Sequence, residues 1–164
     1  MIDKTPPGRY TENIRKERED DGMGALTVTT YDIPDTGTAL TLAVVADLHD
    51  RRGGETAERV LSLAPDACLF VGDLYEAPPR RRYFSTDEAA RCLEILAPHC
   101  ALFWSRGNHD HTLPRDLAAV MERLGVHRLE DTYESFGGVL LGGLSSARYR
   151  KGRTPDLAFL RRFA

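Results

Sequence analysis

The chain has 164 residues, 41% hydrophobic and 29% charged, with a net charge of -3 and a sequence pI near 6.0. That is enough apolar material for one buried core, and it lacks the basic footprint that phosphate-backbone binding needs, so nucleic acid is not an expected partner. No run approaches the roughly 20 apolar residues of a membrane span, and the polar start holds no apolar signal segment, so the chain reads as cytoplasmic.

Residues 1–24 carry Pro6-Pro7-Gly8 and a charged run from Arg15 to Asp20, and read as a polar arm. The domain is expected over residues 25–164. A strand over 26–33, a turn from Pro34 to Gly37 and a second strand over 39–46 predict an opening β-hairpin. Then the pattern alternates. A helix is expected over 55–64, stopped before Pro65; a strand over 67–71; and a helix over 86–96, with Ser85 and Glu88 spaced as a capping box. A strand over 101–105, a helix over 114–124 ended by Gly125, and short strands over 126–129 and 139–141 follow. Thr154 and Pro155 open a last helix whose apolar stripe is Leu157, Leu160 and Phe163. Strand–helix alternation predicts an α/β fold with a mostly parallel central sheet covered on both faces and flanked by helices.

Cys68, Cys92 and Cys100 are odd in number, lie in apolar segments and form no C-x-x-C pair. They read as small buried hydrophobes in a reducing compartment.

Polar clusters follow three of the apolar strands. Asp47 and His49 stand two residues apart at the exit of the first, so an extended backbone there projects both side chains to one side, where they can chelate one metal. Alone, such a pair reads equally as a capped loop start. Asp73 follows Gly72 at the end of 67–71, where open parallel sheets place their ligand crevices, and its two oxygens can bridge two cations. Gly107-Asn108-His109-Asp110 closes 101–105 with an amide oxygen, an imidazole and a carboxylate that can hold the imidazole's tautomer. Three such clusters at three strand ends are too many for ordinary turns.

These residues resemble the calcineurin-like metallophosphoesterases, whose pattern is D-x-H, G-D-x-x-D/E and G-N-H-D/E. All three motifs are present in order, the second as Gly72-Asp73-Leu74-Tyr75-Glu76. The resemblance runs from about Ala39 to the end and implies a layered metallophosphoesterase-like α/β fold. It implies that Asp47 and His49 bind a first metal, Asp73 bridges two, and Asn108 binds the second. His109, oriented by Asp110, would contact the phosphate or protonate the leaving group. The cofactors implied are two divalent ions; mixed oxygen and nitrogen donors suit manganese, iron or zinc and do not choose among them. The partner is a small phosphorylated substrate, with monoester or diester and oligomeric state left open.

The family pattern continues with a strand-end histidine and a G-H-x-H pair that this chain lacks, since His111 and His127 match neither. The second metal therefore has only Asp73 and Asn108, and the chain is expected to be the amino-terminal portion of a longer enzyme. The other reading is a non-catalytic binding domain on the same scaffold. Arg106, beside Gly107, is the candidate substrate contact; Arg80-Arg81-Arg82 and the basic stretch from Tyr149 to Arg153 read as solvated loops.

Overall fold

The structure is a computed structural model, and it describes residues 15–19, 26–33, 37–77, 85–146 and 157–163. The chain divides into two compact units, Met1–Ala39 and Leu40–Ala164.

In the first unit, β1 (Arg15–Glu19) pairs antiparallel with β2 (Leu26–Thr30), with Arg15 opposite Thr30 and Glu19 opposite Leu26. This corrects the expected hairpin: β2 takes its partner from the charged run before it, and β3 (Leu42–Val45) joins the parallel sheet. A turn signature fixes a reversal but not the partner. The apolar tetrad of β3 suits a sheet with both faces in use, whereas the threonine-rich β2 suits a two-stranded ribbon. Of the predicted turn, residues 34–36 fall outside the described residues.

The second unit is built on a four-stranded parallel sheet in the order β3-β4-β5-β6, with β4 at Ala67–Val71, β5 at Ala101–Ser105 and β6 at His127–Arg128. The register sets Leu42 beside Ala67 and Ala67 beside Ala101, so the three long strands end level with one another. Between them lie α1 (Gly53–Leu61), α2 (Asp87–Leu96) and α3 (Arg115–Arg123). Their buried stripes, among them Ala57 and Val60, Ala89, Cys92, Leu93 and Leu96, and Leu117 and Met121, form one core with Ala43, Cys68, Phe70, Leu102 and Trp104 on one face of the sheet. Each fully buried leucine there contributes roughly 1.5–3 kcal/mol.

The opposite face is covered in part, and by strands, with Val44 and Val71 left exposed. The antiparallel pair β7 (Thr132–Phe136) and β8 (Val139–Gly143) meets Ala67 and Phe103 through Phe136 and Leu141. Against that pair lies α4 (Leu157–Phe163), where Phe159 and Phe163 stand 6.4 and 6.1 Å from the Tyr133 ring. The start predicted for this helix, Thr154 and Pro155, falls outside the described residues, as do both arginine-bearing loops.

The capping box of α2 is replaced by a longer-range arrangement. Ser85 Oγ accepts from the Asp87 amide at 3.0 Å, and the buried Asp50 carboxylate accepts from the Ala89 amide at 2.9 Å. Glu88 reaches across to the Gly54 amide at 3.3 Å rather than back to Ser85. A carboxylate from the loop after β3 thus caps α2 and ties that loop to the core.

All three thiols are free, and Cys68 and Cys92 are buried. Burial pushes the Cys68 thiol far up and the Cys92 thiol up to about 12, and raises Cys100 as well. A raised folded-state pKa means that burial holds the proton, so the stability tied to Cys92 is complete below about pH 9 and lost as pH rises from there towards 12. At pH 8 the native protein should leave Cys68 and Cys92 unmodified by Ellman's reagent until it is denatured. Rapid titration of either in the native state would contradict the packing described.

Candidate metal centre

The loops leaving β3, β4 and β5 are joined by their backbones. Asp47 N donates to Gly72 O at 3.3 Å, His49 N to Asp73 O at 2.9 Å, Asp50 N to Leu74 O at 3.0 Å, and Ala77 N to His109 O at 3.0 Å. Two glycines permit this closeness. A Cβ on Gly107 would stand 2.2 Å from Asp73 N and 2.7 Å from Gly72 Cα, distances that no side-chain carbon tolerates.

The backbone through the first motif is not extended, which corrects the reason given for convergence there. Asp47, His49, Asp50 and Arg52 have φ near +50°, and Asp73 has φ +55°. Left-handed conformations at so many non-glycine residues are costly, and they gather where a site is shaped. The side chains converge nonetheless, with His49 Nε2 3.7 Å from Asp47 Oδ1.

His49, Asp73 and His109 each offer a ligand atom, and these atoms lie within 4.8 Å of one another. The two imidazoles meet edge to face with centroids 4.6 Å apart. Asp73 is buried, and its Oδ1 accepts from the His109 amide at 2.6 Å. Beside them opens a cleft of about 250 Å³ lined by Asp47, Asp73, Asn108, Ser105 and Ser146. Asn108 therefore stands with the expected metal residues. His109, expected to face a phosphate, also belongs to the tight donor group.

The acid at the histidines is Glu76, not Asp110. Glu76 Oε1 lies 2.6 Å from His109 Nδ1 and its Oε2 lies 3.1 Å from His49 Nδ1. With Nδ1 so engaged, each ring acts through Nε2, the tautomer logic of a metal-binding histidine backed by a carboxylate. Burial raises the Glu76 pKa, but its contacts with His109 and His49 outweigh that and hold it below the ordinary glutamate value. Asp110 is fully buried and turned the other way: Oδ2 accepts from the Gly107 amide at 3.0 Å and Oδ1 from the Tyr75 amide at 3.2 Å. Burial pushes its pKa up, opposed by these amides. Asp110 shapes the loop rather than the imidazole. The signal for Glu76 was its place in the second motif, three residues after Asp73.

Arg106, the expected substrate contact, has several protein partners. Its Nε donates to Glu130 Oε1 at 2.6 Å and its Nη1 to the carbonyls of Asp110 and His111 at 3.1 and 3.0 Å, while the guanidinium lies 5.5 Å from the Trp104 ring centroid. That fork is engaged with protein groups while Arg106 also lines the cleft.

Two imidazoles and carboxylates at the carboxyl ends of parallel strands, backed by an acid, are a donor set that fits a divalent transition metal. The family model for calcineurin-like phosphoesterase matches residues 40–155, and the chain belongs to that family. No curated protein matches the chain at a significant level.

Proposed function

We propose that the protein hydrolyses a phosphate ester with the help of two divalent ions, manganese, iron or zinc, held by Asp47, His49, Asp73 and Asn108. The observation that carries this reading is the convergence of His49, Asp73 and His109 within 4.8 Å at the ends of adjacent parallel strands. Cations bound there supply Lewis-acid activation of the phosphoryl group and a low-pKa water.

The chain's own residues do the rest. Glu76 orients both imidazoles through Nδ1, so that His49 serves as a ligand and His109 is placed to contact the phosphate or to hand a proton to the leaving oxygen. The Asp73 carboxylate, fixed by the His109 amide, keeps the metal group and the acid in one geometry. The substrate is a small phosphorylated molecule, and the free thiols fit a reducing, cytoplasmic setting.

Manganese binding followed by calorimetry, with p-nitrophenyl phosphate and its bis ester as substrates, tests this. Saturable Mn²⁺ binding that EDTA abolishes and added Mn²⁺ restores, with any hydrolysis following the same course, is the expected result. Absence of binding, or hydrolysis that survives thorough chelation, would overturn the proposal.

A further inference from the structure

His109 and Asn108 sit on a loop held by Arg106, which itself lines the cleft, and by Glu130 behind it. Arg106 Nη1 takes two carbonyls in succession, those of Asp110 and His111, which fixes the direction of the chain leaving His109. The other edge of the guanidinium rests on Glu130, through Nε at 2.6 Å and Nη2 at 2.5 Å from Oε1. Glu130 is itself braced by Arg128 Nη2 at 2.6 Å from Oε2. It is delivered there because Leu129 N donates to Trp104 O at 2.8 Å, extending the β5–β6 pairing up to the level of the site. Arg128 and Arg106 stand 5.9 and 5.5 Å from the centroid of the buried Trp104 ring, the single tryptophan of the chain. A planar fork that bridges an acid and two carbonyls while stacking on an indole is a task for arginine and not for lysine.

From this arrangement we infer that Glu130, acting through Arg106, is a positioning residue for the loop that presents Asn108 and His109. The inference rests on the metal-site reading above, and it adds a residue 24 positions from Arg106 that no motif marks. Two amides report on it directly: Gly107 N–H, bonded to Asp110, and His109 N–H, bonded to Asp73. If the clamp holds the loop, its loss exposes these amides to exchange and loosens the donors around the metal.

The test is amide hydrogen exchange by NMR together with Mn²⁺ affinity in Glu130→Ala, Glu130→Gln and Arg106→Lys of the full chain. In Glu130→Ala, exchange at Gly107 and His109 should quicken by about tenfold or more while Phe103 in β5 keeps its wild-type rate. Mn²⁺ affinity should fall by about tenfold, as for other residues that orient metal ligands. Arg106→Lys should match it. Glu130→Gln, whose amide oxygen still accepts from Arg106, should fall between wild type and Glu130→Ala; should the alanine variant not fold, Glu130→Gln and Arg106→Lys are read by the same two measurements. Wild-type exchange at Gly107 and His109 in these variants would overturn the inference. So would faster exchange with unchanged Mn²⁺ affinity, which would leave Glu130 a structural brace only. A wild-type chain that bound no Mn²⁺ would remove the metal-site reading, and the exchange rates would then decide the clamp on their own.

Discussion

Gly107→Ala should empty the metal centre while leaving most of the fold in place. The added methyl would stand 2.2 Å from Asp73 N, 2.3 Å from Asp73 Oδ1 and 2.7 Å from Gly72 Cα, and two of those three atoms are backbone. Nothing flexible is there to yield, so the loops after β4 and β5 must separate. The cost should be about 3 kcal/mol, the upper part of the range for overpacking, which for a chain of this size lowers Tm by about 10 °C. The Asp73 carboxylate and the His109 amide that it accepts from would part with the loops, so Mn²⁺ binding should be lost. Gly125→Ala is the control. Gly125 has φ +68° with open space around its Cα, so alanine there meets only backbone strain of about 1 kcal/mol, and Mn²⁺ binding should be untouched. Calorimetric titration of both variants checks the pair; a Gly107→Ala protein that binds Mn²⁺ as wild type does would refute the close-approach account.

The elements that were legible are those whose signal is local. ACLFV and ALFWS are apolar runs bounded by Pro65 and Gly72, and by Cys100 and Arg106, and they fold as β4 and β5 with the boundaries expected. The three helices carry amphipathic stripes that any packing partner would use. Pairing is a different kind of information. Whether β2 joins β1 or β3 depends on which ladder the rest of the chain completes, and the threonines of β2 do not decide it. The β7 strand was missed because Thr132-Tyr133-Glu134-Ser135 is largely solvent-exposed, and only Phe136 among its residues packs on the apolar cluster beneath.

The site divides in the same way. Asp47, His49, Asp73 and Asn108 are candidate ligands in the sequence because a metal needs particular donor atoms at strand ends, and that demand is written in residue types; that His109 joins His49 and Asp73 is visible only in the fold. What orients those donors is spatial. Glu76 meets a histidine 33 residues away and Glu130 an arginine 24 residues away, so adjacency in sequence pointed to Asp110 as the partner of His109 when the fold had placed Glu76 there. The same holds for Arg106: its place next to a glycine at the cleft is legible in the sequence, and its partners Glu130 and two carbonyls are not.

Asp73→Asn should abolish Mn²⁺ binding without destabilising the metal-free protein. Asparagine keeps the shape, tolerates the left-handed φ of +55° as aspartate does, and retains an oxygen to accept from the His109 amide at 2.6 Å. What it removes is a negative charge from a site where Asp47, Glu76 and the buried Asp110 already stand, and Asp73 contributes to the upward pull on the Asp110 pKa. Relief of that repulsion should offset any loss from the weaker acceptor, so the metal-free Tm should equal or exceed that of wild type, as expected where function is held at a cost in stability. Loss of a residue that merely orients a ligand weakens metal binding roughly 10–100-fold, so loss of the carboxylate proposed as a ligand should exceed about 100-fold. Thermal melts then separate the two effects. At Mn²⁺ about 100 times its Kd the wild type gains about 2.7 kcal/mol, a rise of roughly 5–10 °C, and Asp73→Asn should gain nothing at the same concentration. Asp73→Ala distinguishes charge from structure, because it also orphans the His109 amide and should lower the metal-free Tm through a loss of about 1–3 kcal/mol. An equal Mn²⁺-induced rise in wild type and Asp73→Asn would place the metal elsewhere, and a metal-free Asp73→Asn protein that melted as low as Asp73→Ala would mean that the carboxylate's charge holds the loops together.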